Sequence, residues 1–276
     1  MSRKSTRTSP RTSTKRRSSR KTKLPVRPIA DIERKRTWLF YGRPGSAKTT
    51  LFSTWPGKKL LLDVMDEGTD SISDVPNIDV MDITEWDQIE EAYWYLHENP
   101  DEYDVVCIDT VTALQQIIIE EIGAKKKLKG KRAGDWGTMT KADWGTVASR
   151  MKTWITNYRN LPMEVVFLAQ DRVFSDDTDE EDEEGLDAYL GPCLSPSVKT
   201  HIGAEVTVIG QTFVRRRKRK IKKRGKTVSK SVIEYCLRLG PDPSYMIKVR
   251  KPKGVRIPEV LVDPSYEELI EIIQGD

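Results

Sequence analysis

Continuous apolar runs alternate with amphipathic segments along the central part of the chain. The first run, TWLFY at residues 37–41, ends at Gly42, and similar runs occupy residues 59–64, 78–83, 103–109 and 164–170. Between the runs, apolar residues recur at helical spacing in residues 48–55, 85–98, 111–122 and 143–160. Strands with continuous apolar sequence are typically buried on both faces. The alternation therefore predicts an α/β fold with a mostly parallel sheet.

The pattern changes after Gln170. Residues 205–214 and 228–239 resemble strands and flank a dense basic block, which predicts an antiparallel β-hairpin at 212–230 in the C-terminal part of the chain. Residues 244–249 are one more strand candidate, and residues 265–273 predict a closing helix.

Composition narrows the class of protein. The 276 residues are 37% hydrophobic and 32% charged, and no run approaches the roughly 18 apolar residues needed to cross a bilayer. The N-terminal residues also lack the apolar stretch of a secretory signal. Three widely spaced cysteines suggest neither a disulfide framework nor a zinc cluster, so we expect a protein of the reducing cytoplasm with no membrane partner.

Charge divides the chain into two parts. Residues 1–36 hold 14 Lys/Arg and two acids, or +12, so the other 240 residues carry −7 of the net +5. A segment this basic, with few apolar residues, cannot bury enough surface to offset its ordering entropy. We expect a disordered basic tail at 1–36 and a folded domain at 37–276.

Three further charge blocks lie inside the folded part, and we expect each to be a solvated loop or hairpin tip because like charges repel. The acidic block lies in a predicted loop at 175–185, for which solubility is the simpler explanation. The two basic blocks, together with the tail, favour contact with a nucleic-acid backbone, which attracts clustered Lys/Arg through counterion release. The candidate DNA-binding residues are Lys125, Lys126, Lys127, Lys129, Lys131 and Arg132 in a loop at 123–134, and Arg215, Arg216, Arg217, Lys218, Arg219 and Lys220 in the hairpin.

The strongest chemical motif joins the first predicted strand and helix. Its residues are Gly42, Arg43, Pro44, Gly45, Ser46, Ala47, Lys48, Thr49 and Thr50. They match the phosphate-loop (P-loop) pattern G-x-x-x-x-G-K-[ST], except that Ala47 replaces the second glycine. In such a loop, backbone N–H groups surround the phosphates, the lysine reaches the β- and γ-phosphates, and the Thr49 hydroxyl is offered to Mg²⁺. The sequence predicts ATP and Mg²⁺ as cofactors, with affinity or turnover reduced by the Ala47 methyl.

Other parts of a nucleotide site follow further along the chain. Asp109 ends an apolar run, which is the expected position for the acid that holds Mg²⁺ together with Thr49. Glu67 is our candidate general base, with Asp66 as an open alternative beside it. Gln170, at the end of a strand, is a candidate γ-phosphate sensor.

These motifs together resemble the phage-encoded RecA-like nucleotide-binding proteins, the group that contains the Sak-type ATP-dependent single-strand annealing recombinases. The resemblance covers about residues 37–270 and rests on GRPGSAKTT, LLLDVMDEGTDSI, YDVVCIDTVTAL, Asp143-Trp144-Gly145, VVFLAQD, GPCLSPSVKTHIGAEVTVIG, YMIKVRKPKG and VDPSYEEL. It implies a RecA-like P-loop NTPase core that binds ATP and Mg²⁺, self-associates as a ring or filament, and binds single-stranded DNA. A single-strand-binding or replication protein is a further partner to consider.

The same resemblance implies a role for Lys248 and Arg250. In related RecA-type oligomers a Lys-x-Arg pair on a late strand reaches the γ-phosphate of the neighbouring subunit, and Lys248-Val249-Arg250 matches that pattern. An exposed cationic strand end is the open alternative.

The sequence thus favours an ATPase (ATP hydrolysis to ADP and phosphate) that DNA stimulates, acting in phage recombination or replication in the host cytoplasm. A non-hydrolysing scaffold or helicase loader organised by nucleotide is the alternative, and a small-molecule P-loop kinase is a third.

Overall fold

The computed structural model describes residues 35–65, 68–127, 139–175, 188–223 and 226–275. The strands are β1 (Thr37–Tyr41), β2 (Lys59–Val64), β3 (Ile78–Ile83), β4 (Val105–Asp109), β5 (Glu164–Ala169), β6 (Asp171–Phe174), β7 (Tyr189–Pro192), β8 (Val208–Lys223), β9 (Lys226–Arg238), β10 (Lys248–Val249) and β11 (Val260–Val262). The helices are α1 (Lys48–Ser53), α2 (Trp86–Glu98), α3 (Val111–Lys127), α4 (Lys141–Arg159), α5 (Pro196–Glu205) and α6 (Tyr266–Gln274), with a 3-10 turn at Thr69–Ile72.

The main sheet of the described residues has the order β11-β9-β8-β1-β5-β4-β2-β3, with β10 also paired to β8. Every pair from β8 to β3 is parallel, whereas β8–β9, β9–β11 and β8–β10 are antiparallel. The predicted α/β class, the mostly parallel sheet and the C-terminal hairpin are therefore confirmed.

Two apolar cores lie on opposite faces of this sheet. One face packs against α2, α3, α4 and α5, and the other against α1 and α6. Burial on both faces explains why β1, β2, β4 and β5 are buried along their whole length and read as continuous apolar runs. The parallel strands end together, so the loops after β1, β4 and β5 meet at one edge of the sheet.

A buried carboxylate ties one of these cores together. Glu164 Oε2 accepts hydrogen bonds from the indole N–H groups of Trp38 and Trp55, each at 2.9 Å. The three residues belong to β5, β1 and the segment after α1. This contact could not be predicted from local sequence, because it joins residues more than one hundred positions apart.

Several elements differ from the predictions. Residues 196–205 form α5, where we predicted no element before a strand at 205–214, and that strand begins only at Val208. Asp171–Phe174 and Tyr189–Pro192 pair as a short hairpin around the acidic block, and of the predicted acidic loop 175–185 only Ser175 lies within the described residues. The strand predicted at 244–249 is reduced to two residues.

The two basic blocks are also more ordered than predicted. Helix α3 continues through Gly123 to Lys127, so the first three lysines of the predicted loop 123–134 are helical. The strands β8 and β9 run through the second block and leave only residues 224 and 225 between them. Cross-strand hydrogen bonds hold these basic residues in a ladder despite their mutual repulsion. Nothing in the described parts of the chain is a helix long and apolar enough to cross a bilayer.

Candidate nucleotide site

The loop after β1 turns sharply at two residues. Gly45 has φ of 75° and Ala47, the residue before α1, has φ of 65° and ψ of 33°. Ala47 therefore occupies the left-handed region that the usual glycine adopts without cost. Although Ala47 replaces the glycine of the phosphate-loop pattern, the loop keeps its turn, and the backbone strain lies at this alanine.

Close packing requires glycine at the start of the loop. A Cβ atom built on Gly42 would lie 2.2 Å from the carbonyl oxygen of Thr212 and 2.4 Å from its Oγ1. Ser46 Oγ also lies 2.7 Å from Thr212 Oγ1, within hydrogen-bond distance. β8 therefore packs against the loop through Thr212 and restricts its conformation.

The lysine of the motif lies over its own loop. Lys48 is buried, and its Nζ donates to the carbonyl oxygens of Gly42 at 3.0 Å and Arg43 at 3.2 Å. Lys48 is also the first residue of α1, where backbone N–H groups point out of the helix. An ammonium group and these N–H donors are the groups that bind phosphate oxygens.

Thr49 and Asp109 are brought together by the sheet. The Thr49 hydroxyl donates to Asp109 Oδ2 at 2.6 Å, although β5 separates the two strands to which their segments belong. Asp109 is the last residue of β4 and is 7% exposed. A hydroxyl and a carboxylate are hard oxygen ligands, and Mg²⁺ bound to a nucleotide takes only one or two protein ligands besides phosphate and water. The pair fits Mg²⁺, and its role as a metal site stays a prediction.

These residues line a cavity of about 710 Å³. Its walls include the loop from Pro44 to Leu51, Asp109, Thr110 and Gln170. The volume falls in the range of about 300–1,000 Å³ that is typical for small-molecule sites. The cavity thus unites the predicted loop, the predicted metal residues and the predicted sensor Gln170.

The cavity is also lined by residues that sequence reasoning missed, among them three from distant segments. Thr212, Tyr235 and Asp263 come from β8, β9 and the residue after β11. The Asp263 backbone N–H donates to the Tyr235 carbonyl oxygen at 2.7 Å, which places these two residues side by side. No local motif marks them, because their position depends on strand pairing far along the chain.

Acidic residues gather beside Asp109. Asp63, on β2, is 2% exposed and is the register partner of Asp109 on β4. Burial raises the pKa of the Cys107 thiol, and the charges of Asp109 and Asp63 raise it further. Two buried carboxylates therefore lie side by side at this end of the strands. Asp66 and Glu67 lie outside the described residues, so the identity of the general base stays a prediction.

A family model described as an AAA domain (AAA_24) matches residues 34–249. The chain belongs to this AAA domain family. No curated protein is similar enough in sequence to be matched. Among solved structures, the crystal structure of the RadB recombinase is similar, with 13% sequence identity, a TM-score of 0.36, and coverage of 78% of this chain and 91% of that chain.

The AAA domain match includes the P-loop and both residues of the predicted metal pair. The chain is therefore a P-loop nucleotide-binding protein of a family that generally uses ATP and Mg²⁺.

Lys248 and Arg250 do not reach the cavity of this AAA domain. The Arg250 backbone N–H donates to the Thr207 carbonyl, and the Thr207 N–H donates to the Thr37 carbonyl, so Arg250 is level with the start of β1. Lys248 pairs with Ile209 and is level with Leu39, in the middle of β1. The phosphate loop follows the other end of β1, about 13 Å along the strand from Arg250 and about 7 Å from Lys248. Neither residue lines the nucleotide cavity of its own chain.

The two cations instead bind the end of α5. Lys248 Nζ donates to the carbonyl oxygens of Gly203 at 2.6 Å and Ala204 at 3.0 Å, and Arg250 donates to Ala204 at 2.8 Å. Cations at a helix C-terminus are favourable because its carbonyl groups carry partial negative charge. Burial, and next the charge of Arg250, lower the pKa of Lys248. The predicted contact with a neighbouring subunit stays a prediction.

The structure separates the two predicted DNA-binding segments. Helix α3 begins next to Asp109, and its 17 residues span about 25 Å, so Lys125 lies far from the phosphate loop. Lys125 is exposed and pairs with Glu121. Lys126 and Lys127 are helical, but their side chains, and all of Lys129, Lys131 and Arg132, lie outside the described residues.

The hairpin, in contrast, extends from the end of the parallel strands at which the phosphate loop lies. Gln211 pairs with Tyr41, the last residue of β1, and β8 continues for 12 more residues, or about 40 Å. Arg216, Arg217 and Lys218 are exposed on it.

Arg215 differs from the other predicted DNA-binding residues of the hairpin. Its Nε donates at 2.8 Å to Glu234, whose side chain is 1% exposed. Arg215 therefore neutralises a buried carboxylate, and its part in the predicted DNA contact is secondary to that ion pair. Arg219 and Lys220 lie on β8, with side chains outside the described part.

Proposed function

We propose that this AAA domain protein binds ATP with Mg²⁺, hydrolyses it to ADP and phosphate, and is stimulated by single-stranded DNA. The observation that supports nucleotide chemistry most directly is the contact of 2.6 Å between Thr49 and Asp109 at the floor of the cavity beside Lys48. In one cavity, two oxygen ligands can bind a metal ion and an ammonium group can bind the triphosphate that the metal accompanies.

We assign each step of the proposed ATP hydrolysis to particular residues of the chain. The phosphate loop and Lys48 bind and orient the phosphates, and Thr49 and Asp109 hold Mg²⁺, which neutralises charge on the phosphate oxygens. Gln170 lines the same cavity after β5, where its amide can hydrogen-bond to a terminal phosphate or an attacking water. Removal of a proton from that water is the task we assign to Glu67.

DNA binding is supported by charge and position. The hairpin presents Arg216, Arg217 and Lys218 to solvent, and clustered cations attract phosphate backbones independently of base sequence. The hairpin leaves the sheet next to the phosphate loop, so DNA bound there would contact an element that packs against the nucleotide site. We propose a role in annealing-type recombination or replication of a phage in its host's cytoplasm, on the basis of the motif resemblance.

Self-association into a ring or filament completes the proposal. Because Lys248 and Arg250 are bound to the end of α5 and do not line the nucleotide cavity of their own chain, a neighbouring subunit's nucleotide is the target that we propose for them. Such a contact would require them to leave the α5 carbonyl groups, which ties catalysis to assembly.

ATP turnover with and without single-stranded DNA tests the proposal. We expect stimulation of the wild type and loss of turnover in Lys48→Ala, while the exposed Lys253→Ala serves as the matched control and keeps full activity. Thermal unfolding of each variant establishes that the fold persists. Full activity of Lys48→Ala would refute the assignment of the loop. Nucleotide binding without turnover would instead favour the scaffold or helicase-loader function, and turnover only with a small phosphate acceptor would favour a kinase.

A further inference from the structure

A second cavity, of about 400 Å³, adjoins the phosphate loop. Pro44, Ser46 and Thr212 line both this cavity and the larger one, so the loop and β8 form a shared wall. Of the residues that line the second cavity alone, Arg43 belongs to the phosphate loop, and the nucleotide chemistry described above uses none of the others.

Two buried polar groups in this cavity have no hydrogen-bond partner among the described residues, namely Gln211 Oε1 and Arg238 Nε. Gln211 is 5% exposed, and its amide is oriented by donation from Nε2 to the Thr212 carbonyl at 3.3 Å. Gln211 and Arg238 are register partners on β8 and β9 and both line the cavity. One acceptor and one donor thus lie next to each other, and leaving either without a partner is unfavourable.

The environment of Arg238 defines what can bind. Its guanidinium carbon lies 5.2 Å from the centre of the Phe213 ring and 4.2 Å from that of Tyr245. Its NH1 atom pairs with Asp242 at 3.4 Å and Glu259 at 3.3 Å. Because those two carboxylates already neutralise the charge, Arg238 favours a neutral, hydrogen-bonding ligand over an anion. The two rings add aromatic surface to the same wall.

An anion-binding group lies at the rim. Arg43 is exposed, lines the cavity and has no ion pair within the described ranges. A ligand with a flat polar part for Gln211 and Arg238 and a phosphate for Arg43 would satisfy all three. A nucleotide combines these features, since each base presents donors and acceptors on one edge, has a ring face for stacking, and is joined to a phosphate.

We propose that the second cavity binds a nucleobase, supplied by an unpaired nucleotide of single-stranded DNA. The proposal rests on the DNA binding proposed above, because β8 leads directly from Gln211 to the exposed Arg216–Lys218 segment, where the phosphates of the same strand would be held. The volume of the cavity also suits one base with its sugar. A free nucleoside monophosphate has the same chemistry and is the other source to be tested.

The test compares two oligonucleotides of equal length, one with normal thymine bases and one abasic, so that only the bases differ. Binding is measured for the wild type, for Gln211→Met, which removes the amide but keeps the length of the side chain, and for Arg216→Gln, which removes one cation from the hairpin. Thymidine 5′-monophosphate is titrated in parallel. Thermal unfolding shows whether each variant keeps its fold, and Arg43→Gln serves as a second variant of the cavity at an exposed position.

We expect Gln211→Met to weaken binding of the normal oligonucleotide about tenfold and leave the abasic one unchanged, the size expected for one lost buried hydrogen bond. Arg216→Gln should weaken both to the same extent, because it acts on phosphate. A different result would refute single-stranded DNA as the source of the base. In that result, the wild type binds the monophosphate, Gln211→Met abolishes this binding, and the normal and abasic oligonucleotides bind equally well. The cavity would then bind a free nucleotide.

Two other results separate this inference from the proposed function. If the wild type binds DNA and neither cavity variant changes the preference for normal over abasic DNA, the base site is wrong and the DNA function stands. If the wild type binds neither oligonucleotide, the proposed DNA binding is wrong. The proposal that the second cavity binds a base of single-stranded DNA is then wrong as well.

Discussion

Ala47 gives the sharpest test of the loop geometry. Its φ of 65° and ψ of 33° lie in the left-handed region, which costs a residue with a Cβ atom about 1–2 kcal/mol relative to glycine in the folded state. Glycine in turn makes the unfolded chain more flexible, which offsets about 0.5–1 kcal/mol. The balance predicts that Ala47→Gly raises the free energy of unfolding by about 0.5–1 kcal/mol. For a chain of 276 residues, that corresponds to about 1–3 °C in the melting temperature.

The measurement is chemical or thermal unfolding without nucleotide, with Ala124→Gly as the matched control. Ala124 is exposed and lies within α3, where glycine lowers stability by about 0.5–1 kcal/mol relative to alanine. The same substitution should therefore change stability in opposite directions at the two positions. A lower stability for Ala47→Gly would refute the strained loop. Tighter ATP binding by this variant would further show that the methyl group also hinders the phosphates.

Two more substitutions test contacts that hold the sheet and the hairpin. Glu164→Leu leaves two buried indole N–H donors without an acceptor and should lower the free energy of unfolding by about 2–4 kcal/mol, as measured by urea denaturation. Glu164→Gln keeps an oxygen acceptor and should cost less, so equal losses would argue against the hydrogen bonds. Arg215→Ala removes the ion pair of the buried Glu234 carboxylate and should lower the melting temperature, whereas Arg216→Ala should not. Equal melting temperatures for the two variants would contradict the ion pair.

Much of the fold could be predicted because its sheet is buried on both faces. Continuous apolar runs marked β1, β2, β4 and β5 within two residues of their observed bounds, and the phosphate-loop motif marked the edge of the sheet where the site lies. Thr49 and Asp109, which were assigned to one site from their positions after and at the end of strands, are in contact in the structure. These features depend on local sequence and on the general rule that parallel strands end together.

Elements of weaker local pattern were missed. α5 has little amphipathic character, although Ser195 and Pro196 are typical of a helix start and could have indicated it. The strands of the hairpin extend further than charge repulsion predicts, because cross-strand hydrogen bonds hold the basic residues in the ladder. Thr212 and Tyr235 were beyond prediction, since they reach the cavity only through the register of β8 and β9 against β1.

The wall between the two cavities connects these observations. Gly42 packs so closely against Thr212 that a single methyl group would meet its carbonyl oxygen at 2.2 Å, and the hydroxyl of Thr212 lies 2.7 Å from that of Ser46. The phosphate loop therefore has no room to shift toward β8 unless the strand shifts with it. Gln211 and the basic segment of the hairpin lie on that same strand. A change in the loop on nucleotide binding would be transmitted to the hairpin as a movement of β8, and the proposed stimulation of ATP hydrolysis by DNA would use the same connection in reverse.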